Sequence, residues 1–257
     1  MLNYPTIDPT IVKIGPIHIR WYGVMYILAF LASYFLVKYQ IRKKRLPIDI
    51  NTVNDLFLFL VIGLIIGARL GYVIFYNLPF YLAHPLKLFA VWEGGMSFHG
   101  GLIGIILCAL IFSKKRKVNF WLMADLISVT APIGLGLGRL GNFINAELYG
   151  RVTNLPWGMI FPSAGVLPRH PSQLYELFLE GILLFGILWW IKDFPFKKGT
   201  LFCLFLLLYS IFRFFIEFFR EPDPQLGFIV SFITMGQILS IFMFILSLVL
   251  LHFRPKK

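Results

Sequence analysis

The sequence predicts an all-α, polytopic membrane protein, and three observations support this fold class. Hydrophobic residues make up 58% and charged residues 14% of the 257 residues, and the mean hydropathy is +0.79; both values are far from those of soluble domains. Lysine and arginine clusters follow every second apolar segment. Seven segments have the length and composition of membrane helices: 21–41, 54–76, 98–113, 120–142, 172–191, 199–220 and 229–252. We expect one integral-membrane domain over residues 1–257.

The positive clusters set the expected orientation of the chain. They lie at 42–45, 114–117, 192–198 and 254–257, after the first, third, fifth and seventh segments. Because lysine and arginine are enriched in cytoplasmic loops, the N-terminus should lie outside and the C-terminus in the cytoplasm. Topology therefore explains the net charge of +12, and we expect no nucleic-acid partner.

The first two segments begin and end on opposite sides in this topology. The first begins outside with Trp21-Tyr22-Gly23. The second runs outward and carries Gly63, Gly67 and Gly71, a spacing that lets helix backbones approach closely. Arg69 lies between these glycines. The sequence leaves two roles open for it, a second anion contact or a structural partner.

The third segment is short and glycine-rich, and it begins outside at Phe98-His99-Gly100-Gly101. Backbone amides are free at a helix start and favour anions there. A histidine can titrate near neutral pH and act as a base or a donor. We therefore treat His99, Gly100 and Gly101 as candidate site residues; the alternative for His99 is a polar side chain at the membrane edge.

The fourth segment ends in an unusual group of polar residues. Arg139, Asn142, Asn145 and Glu147 all lie within Gly138–Gly150 (GRLGNFINAELYG). An arginine at the middle of a membrane helix costs roughly 2.5–3.5 kcal/mol on insertion scales, so such residues are functional candidates. They must face protein, water or a substrate headgroup.

The fifth and sixth segments each carry one polar stripe. Gln173, Glu176 and Glu180 are spaced i, i+3 and i+7, and the sixth segment carries a second stripe at i, i+4 and i+8. This second stripe consists of Tyr209, Arg213 and Glu217. Lipid cannot satisfy these groups, so both stripes should face the interior of the bundle. For the second stripe the alternative is an Arg213–Glu217 pair that only locks helices, and for Glu180 it is interhelical hydrogen bonding.

Two segments outside the predicted helices complete the outer side. Residues 77–97 mix aromatic and turn residues, which suits an interfacial arm. Residues 148–170 include Pro156-Trp157-Gly158 and Pro162 and indicate a small extracytoplasmic head. Both could cover or gate a site that opens into the outer leaflet.

Most of the unusual polar residues thus converge on the outer leaflet, from six helices. Arginine binds phosphate through a planar fork, and the phosphate at that depth is a phospholipid headgroup. The favoured class is an enzyme that acts on phospholipid at the outer face of a membrane. The alternative is a phospholipid-binding transporter or flippase, which should instead show a polar path across the whole membrane, broken helices at the midplane and internal repeats.

The Gly138–Gly150 signature resembles that of bacterial prolipoprotein diacylglyceryl transferases. Four further segments resemble this family in the same order: WYG at 21–23, WEGGMSFHGG at 92–101, HPSQLYE at 170–176 and RFFIEFFREPD at 213–223. The resemblance runs from Pro16 to the seventh segment. It implies seven membrane helices and an extracytoplasmic head in the bacterial cytoplasmic (inner) membrane.

The resemblance also implies a reaction and its partners. The sn-1,2-diacylglyceryl group of phosphatidylglycerol would move to the lipobox cysteine thiol of a preprolipoprotein that still carries its signal peptide. A thioether would form and glycerol 1-phosphate would leave. Membrane lipids are the surroundings, and no cofactor or metal is expected because the donor is already a phosphodiester.

Residue roles follow from the resemblance. Arg139 and Arg213 would hold the phosphate and stabilise its developing charge, and His99 would act as base or phosphate contact. Glu217 would position the arginines or accept the proton, as would Glu147 and Tyr209. The remaining substrate-binding candidates orient the headgroup or lie in the matching motifs: Tyr22, Asn142, Asn145, Gly150, Gly100 and Gly101.

The two cysteines should not take part in the reaction. Cys108 and Cys203 lie inside apolar segments without CxxC or metal-ligand spacing, which is typical of packing residues. A Cys108→Ser, Cys203→Ser double variant should therefore retain diacylglyceryl transfer, measured as the mass gained by a lipobox peptide. Complete loss of transfer in a folded double variant would point to a thiol mechanism.

Overall fold

The computed structural model describes residues 2–15, 17–91, 94–222, 228–230 and 233–254. Predicted motif or cluster positions that fall outside these residues are Pro16, Trp92, Glu93, Asp223, Lys256 and Lys257. The described chain is mostly helical and forms two compact units. One comprises Met1–Val37 with Ala124–Lys257, and the other comprises Lys38–Met123.

The helices follow the predicted segments closely. They are α1 (Trp21–Lys43), α2 (Ile50–Tyr76), α3 (Leu78–Ala83), α4 (Phe98–Arg116), α5 (Phe120–Ser128), α6 (Ala131–Ile144), α7 (Ser172–Glu176), α8 (Leu184–Ile191), α9 (Thr200–Ile216) and α10 (Met235–Phe253). A 3₁₀ turn covers Pro85–Phe89, and a π-helical segment, Leu177–Leu183, joins α7 to α8.

The short strands form three two-stranded sheets. They are β1 (Leu2–Asn3), β2 (Thr10–Ile14), β3 (Ile17–Arg20), β4 (Met159–Ile160), β5 (Phe228–Val230) and β6 (Ile233–Thr234). β1 pairs with β4 in parallel, while β2–β3 and β5–β6 are antiparallel.

The helical prediction is confirmed, and the number of membrane crossings stays a prediction. Within the described residues, four helical stretches are long and apolar enough to cross a membrane: α1, α2, α7 to α8, and α10. The bent pair α5–α6 would make a fifth, and α9 is apolar but has only 17 residues. The chain forms two helices here, because Pro132 lies in the first turn of α6, where its missing N–H is not needed.

In the unit Lys38–Met123, α2 packs against α4 through glycines. A Cβ atom on Gly63 would lie 2.7 Å from the carbonyl oxygen of Gly104, and one on Gly71 would lie 2.7 Å from the Cα of Gly100. Gly67 faces the Gly100 carbonyl at still closer range. The predicted packing role of the Gly63, Gly67 and Gly71 spacing is confirmed.

Arg69 is a structural partner within the same unit. Its Nε donates to the carbonyl oxygen of Leu88 at 2.9 Å, and Nη2 donates to that of Ala90 at 3.1 Å. Further carbonyl acceptors belong to Lys87, Gly94 and Gly95. Five N–H groups thus meet five carbonyl oxygens of the predicted arm, which matches the full donor capacity of a guanidinium. Of the two roles that the sequence left open for Arg69, anion contact and structural partner, the structure favours the structural role.

In the other unit, the start of the chain is fastened to the end of α6. Tyr4 packs in a buried cluster with Phe143, Met159 and Phe161. Its hydroxyl lies 2.7 Å from the carbonyl oxygen of Phe143 and 2.9 Å from that of Ile144. The N–H of Ala146 already donates to the Phe143 carbonyl oxygen at 2.9 Å. Tyr4 adds a second donor to this carbonyl and a donor to that of Ile144, and so helps to satisfy the C-terminal end of α6 beside the signature.

A matched pair of glycine substitutions tests the α2–α4 packing. Gly67→Ala should destabilise the protein by about 1–3 kcal/mol, because its Cβ would overlap the Gly100 carbonyl and overpacking costs this much. Gly186→Ala, where nothing lies within 4 Å, should be neutral or stabilising, since alanine favours helix by up to about 1 kcal/mol. Thermal unfolding in detergent measures both. Equal melting temperatures for the two variants would contradict the close contact.

Candidate active site

Four helical elements bring charged side chains together in the unit that contains α6 to α10. Arg139 comes from α6, Glu176 from α7 and Glu180 from the π-helical segment. Arg213 comes from α9, and Arg220 lies four residues beyond its end. With Glu217 these residues form what we call the arginine–glutamate cluster. The two polar stripes predicted from spacing therefore do face the protein interior.

Glu176 is the common partner of the three arginines. Its Oε1 lies 2.5 Å from Arg213 Nη1 and 3.0 Å from Arg220 Nη1, and its Oε2 lies 3.1 Å from Arg139 Nε. The Glu176 side chain has no exposed surface. A carboxylate with two oxygens and about four acceptor positions can serve several guanidinium groups at once. It therefore holds arginines from two parts of the chain in one arrangement.

Glu180 is buried to the same extent as Glu176 but has weaker contacts. Its side chain is also fully buried, with Oε2 at 3.7 Å from Arg139 Nε and Oε1 at 4.0 Å from Arg213 Nη1. Neither oxygen accepts a hydrogen bond from the described residues. The residue lies in a π-helical turn, a feature that recurs at functional sites. Its contribution to the arginines is therefore electrostatic attraction at ion-pair distance rather than hydrogen bonding.

Glu217 is fixed between α9 and α10. Its Oε2 lies 2.8 Å from Arg213 Nη2, and its Oε1 accepts a hydrogen bond from the Thr234 hydroxyl at 3.0 Å. Thr234 is the N-cap of α10 and forms a capping box with Gln237. A Cβ atom on Gly236 would lie 2.6 Å from the Glu217 carboxylate. The start of α10 thus holds this carboxylate against Arg213.

The turn after α6 presents a second carboxylate. The side-chain amides of Asn142 and Asn145 donate to Glu147 Oε1 at 2.8 and 3.1 Å. On either side of Glu147, Ala146 and Leu148 have φ values of 54° and 56°. Left-handed backbone at non-glycine residues costs about 1–3 kcal/mol each and is kept only where the surroundings enforce it. Glu147 is exposed and so can meet a substrate.

Side chains from the HPSQLYE motif support this turn. Gln173 Nε2 donates to the carbonyl oxygen of Glu147 at 2.6 Å, and Ser172 Oγ donates to that of Leu148 at 3.0 Å. Both side chains are fully buried. Ser163 Oγ adds a bond to the carbonyl oxygen of Ala146 at 3.0 Å. The motif therefore positions the turn from its buried side and supplies Glu176 to the arginines.

The two tyrosines predicted for the site lie beside the cluster. Tyr22 packs on α6, where a Cβ atom on Gly141 would lie 2.7 Å from its ring, and its hydroxyl lies 3.4 Å from that of Tyr26. It lies within electrostatic range of Glu147 and Arg139. Tyr209 stacks on Phe205 and interacts electrostatically with Glu180 and Arg213.

Gly150 joins the signature to the chain beyond α9. It forms a β-bridge with Arg220, and its N–H donates to the carbonyl oxygen of His170 at 2.8 Å. A Cβ atom there would lie 2.7 Å from the His170 side chain. The structure therefore requires a glycine at this position for packing. Arg151 Nε adds a bond to the Arg220 carbonyl oxygen at 2.9 Å.

His170 fastens the predicted head to α7. Trp157 Nε1 donates to the Tyr175 hydroxyl at 2.9 Å, and this hydroxyl lies 3.1 Å from His170 Nδ1. Burial lowers the pKa of His170 from its ordinary value of 6.5, which favours the neutral ring. The Tyr175 hydroxyl thus joins the Trp157 indole of the head to His170 at the start of α7.

The predicted group His99-Gly100-Gly101 belongs to the other unit, Lys38–Met123. His99 is exposed in the first turn of α4. The N–H of Gly100 donates to the hydroxyl of the N-cap Ser97 at 3.3 Å, and the N–H of Gly101 donates to the Ser97 carbonyl oxygen at 3.0 Å. Gly100 also packs on α2 through Gly67 and Gly71. These glycines thus have a packing role that the sequence analysis did not assign to them.

Sequence reasoning missed two members of the cluster, Arg220 and Glu176, and left the role of a third, Glu180, open. Arg220 belongs to the RFFIEFFREPD motif and follows Arg213 by seven positions, about two helical turns on the same face, which is a signal for it. The spacing puts Glu176 and Glu180 on one polar face with Gln173 but does not indicate a site role for Glu176. The spacing within one helix does not reveal how close Glu176 and Glu180 lie to the arginines, because this distance depends on how α6, α7 and α9 pack together.

The cluster is suited to binding an anion. Arg139, Arg213 and Arg220 keep 20%, 14% and 10% of their side chains exposed, whereas Glu176 and Glu180 have none. Of the three guanidinium nitrogens of Arg139, only Nε has an ion-pair partner among the described residues. Its terminal nitrogens can therefore turn to a ligand. No group of three or more His, Cys, Asp or Glu side chains in the described residues could hold a metal ion.

Comparisons with known proteins find similarity to one family over nearly the whole chain. A family model described as prolipoprotein diacylglyceryl transferase matches residues 9–253. The chain is 55% identical over 256 residues to the phosphatidylglycerol–prolipoprotein diacylglyceryl transferase of Desulfotalea psychrophila, covering 97% of this chain and 94% of that protein. The proteins of the same name from Geobacter sulfurreducens and Bordetella avium are 53% and 50% identical over 247 and 252 residues. These two alignments cover 96% and 97% of this chain, and 95% and 96% of those proteins.

Two serine substitutions test the support of the signature turn. Ser172→Ala removes a buried hydroxyl and leaves the Leu148 carbonyl unsatisfied, which should cost about 1–3 kcal/mol. Ser163→Ala removes an equally long bond to the same turn, but Ser163 is exposed, so water can replace the hydroxyl and the cost should stay below about 1 kcal/mol. Thermal unfolding compares them. A larger loss for Ser163→Ala would contradict the buried support.

Proposed function

The chain belongs to the prolipoprotein diacylglyceryl transferase family, and we propose that its arginine–glutamate cluster binds the phosphate of the donor lipid. The protein is a transferase that uses phosphatidylglycerol as the donor and a prolipoprotein as the acceptor. The transporter alternative receives no support from the relatives, all three of which are named as transferases.

One observation carries the phosphate assignment. Arg139 and Arg213 come from different helices and are held from behind by the same buried carboxylate, Glu176. Their guanidinium groups are partly exposed on the other side. Preorganised donors stabilise developing charge without having to reorganise during the reaction. A phosphodiester placed against these two groups would meet a fork of fixed N–H donors.

The reaction requires little more than positioning and charge stabilisation. The sulfur of the lipobox cysteine attacks the sp3 glycerol carbon that bears the phosphate oxygen. A carbon–sulfur bond forms, the carbon–oxygen bond breaks, and its electron pair stays on the phosphate of glycerol 1-phosphate. The arginines face the oxygen on which this charge develops. A thiol with an ordinary pKa of about 8.5 needs only modest activation.

The remaining site residues take roles consistent with their contacts. Asn142 and Asn145, already bound to Glu147, orient the headgroup together with Tyr22. Glu217 and Tyr209 position Arg213. Exposed Glu147 and exposed His99 are the two candidates for accepting the thiol proton, and His99 can alternatively contact the phosphate. Gly100, Gly101 and Gly150 serve the site through packing: the first two lie against α2 and the third against His170.

The membrane arrangement follows the distribution of positive residues. We propose seven crossings, with the N-terminus outside and the C-terminus in the cytoplasm of a bacterium, and a multi-pass location in the inner membrane. The cluster then opens toward the outer leaflet. The arm at 77–97 and the head at 148–170 lie on that side, where a preprolipoprotein signal peptide presents its lipobox cysteine among membrane lipids.

Alanine substitutions in the cluster test the phosphate role. Arg139→Ala, Arg213→Ala and Asn142→Ala should each reduce transfer by at least about 10²-fold, the usual effect of removing a donor to a developing oxyanion. The assay uses purified protein, labelled phosphatidylglycerol and a lipobox peptide, and follows the mass of the peptide. A gain of one diacylglyceryl unit should require the cysteine.

The matched control is Arg116→Ala. Arg116 pairs with Asp55 and keeps 54% of its side chain exposed, so its loss should leave transfer near the wild-type rate. Wild-type activity in folded Arg213→Ala would refute the phosphate role of this residue. No transfer by the unaltered protein, with intact lipid, would refute the proposed reaction.

A further inference from the structure

The two fully buried carboxylates, Glu176 and Glu180, cannot touch a substrate. Neither side chain has exposed surface, whereas the arginines with which they pair are partly exposed. Any effect they have on the reaction must therefore pass through Arg139, Arg213 and Arg220. This separates them from Glu147, which is exposed and can meet the thiol directly.

The cluster contains equal numbers of arginines and carboxyl groups. Three arginines, Arg139, Arg213 and Arg220, face three carboxylates: Glu176, Glu180 and Glu217. A buried charge without a partner is costly, and removing one member of a buried pair leaves the other uncompensated. Without the glutamates, the arginines would repel one another and would also bind any anion more strongly.

This balance matters most at the end of the reaction. The donor phosphodiester carries one negative charge, whereas the leaving phosphomonoester can carry nearly two. An uncompensated group of three arginines would hold the product more firmly than the substrate. An enzyme that binds its product too tightly turns over slowly, since release then limits the rate.

We propose that Glu176 is a positioning residue that fixes Arg139 and Arg213 as a preformed phosphate fork and, together with Glu180, keeps their affinity for the phosphomonoester product low enough for release. The proposal rests on the proposed function. The two carboxylates have different roles in it. Glu176, in contact with all three arginines, sets both geometry and charge, whereas Glu180, at 3.7 and 4.0 Å from two of them, acts through charge alone.

Isosteric substitutions separate geometry from charge. Glu176→Gln keeps the shape of the side chain and removes its charge, and Glu176→Asp keeps the charge and shortens the side chain. For Glu176→Gln we expect kcat to fall about tenfold or more, the usual range for residues that orient a reacting group. Inhibition by glycerol 1-phosphate should become at least about fivefold tighter, because a negative charge near the arginines is gone.

The other variants sharpen the result. Glu176→Asp should also lower kcat but leave the inhibition constant within about twofold of wild type, since the charge remains. Glu180→Gln should tighten inhibition with a smaller loss of kcat. Glu221→Gln is the matched control, because Glu221 pairs with Arg169 on the surface with 44% of its side chain exposed. It should change neither quantity.

The outcomes decide clearly. Unchanged or weaker product inhibition in folded Glu176→Gln would overturn the proposal, because a merely structural loss would not tighten anion binding. Should Glu176→Gln fail to fold, Glu180→Gln decides by the same criterion. If the unaltered protein transfers no lipid, the proposed function fails. The positioning role is then tested by the rise in melting temperature with glycerol 1-phosphate, which should be larger in Glu180→Gln than in wild type.

Discussion

The buried carboxylate of Glu176 is the interaction on which the site depends. Three guanidinium groups share it at 2.5–3.1 Å, and it has no contact with solvent. In an apolar surrounding, arginines this close would repel one another without such a counter-ion. The positions of α6, α7 and α9 therefore cannot be varied independently, since each carries one part of the same charge balance.

A second level of order lies in the backbone around this centre. The signature turn adopts left-handed backbone at Ala146 and Leu148, and side chains from the following motif hold it there. Gly150 brings the turn into a β-bridge with Arg220. The three longest sequence motifs of this unit are therefore in direct contact and hold one another in place. HPSQLYE supports the turn of the signature, and RFFIEFFREPD supplies the arginines that HPSQLYE neutralises.

The sequence predicted the helices and much of the site, and it failed where the outcome depends on contacts between helices. Composition and apolar length located every long helix, and the spacing of Arg213 and Glu217 correctly placed them on one face. The same logic could not show that Glu176 lies at the centre of the cluster. It also left the role of Arg69 open, because a guanidinium that binds five carbonyl oxygens has the same sequence signature as one that binds phosphate.

The hydrogen bonds of Tyr4 have a consequence for the order in which the protein folds. Its hydroxyl bonds to carbonyl oxygens 139 and 140 residues further along the chain, and β1 pairs with a strand that follows later still. Contacts of such long sequence separation form late, because a long loop must close before they are made. Tyr4 must therefore remain without these partners until Ile144 has been synthesised. The docking of Tyr4 and β1 is thus a late step in the folding of the head.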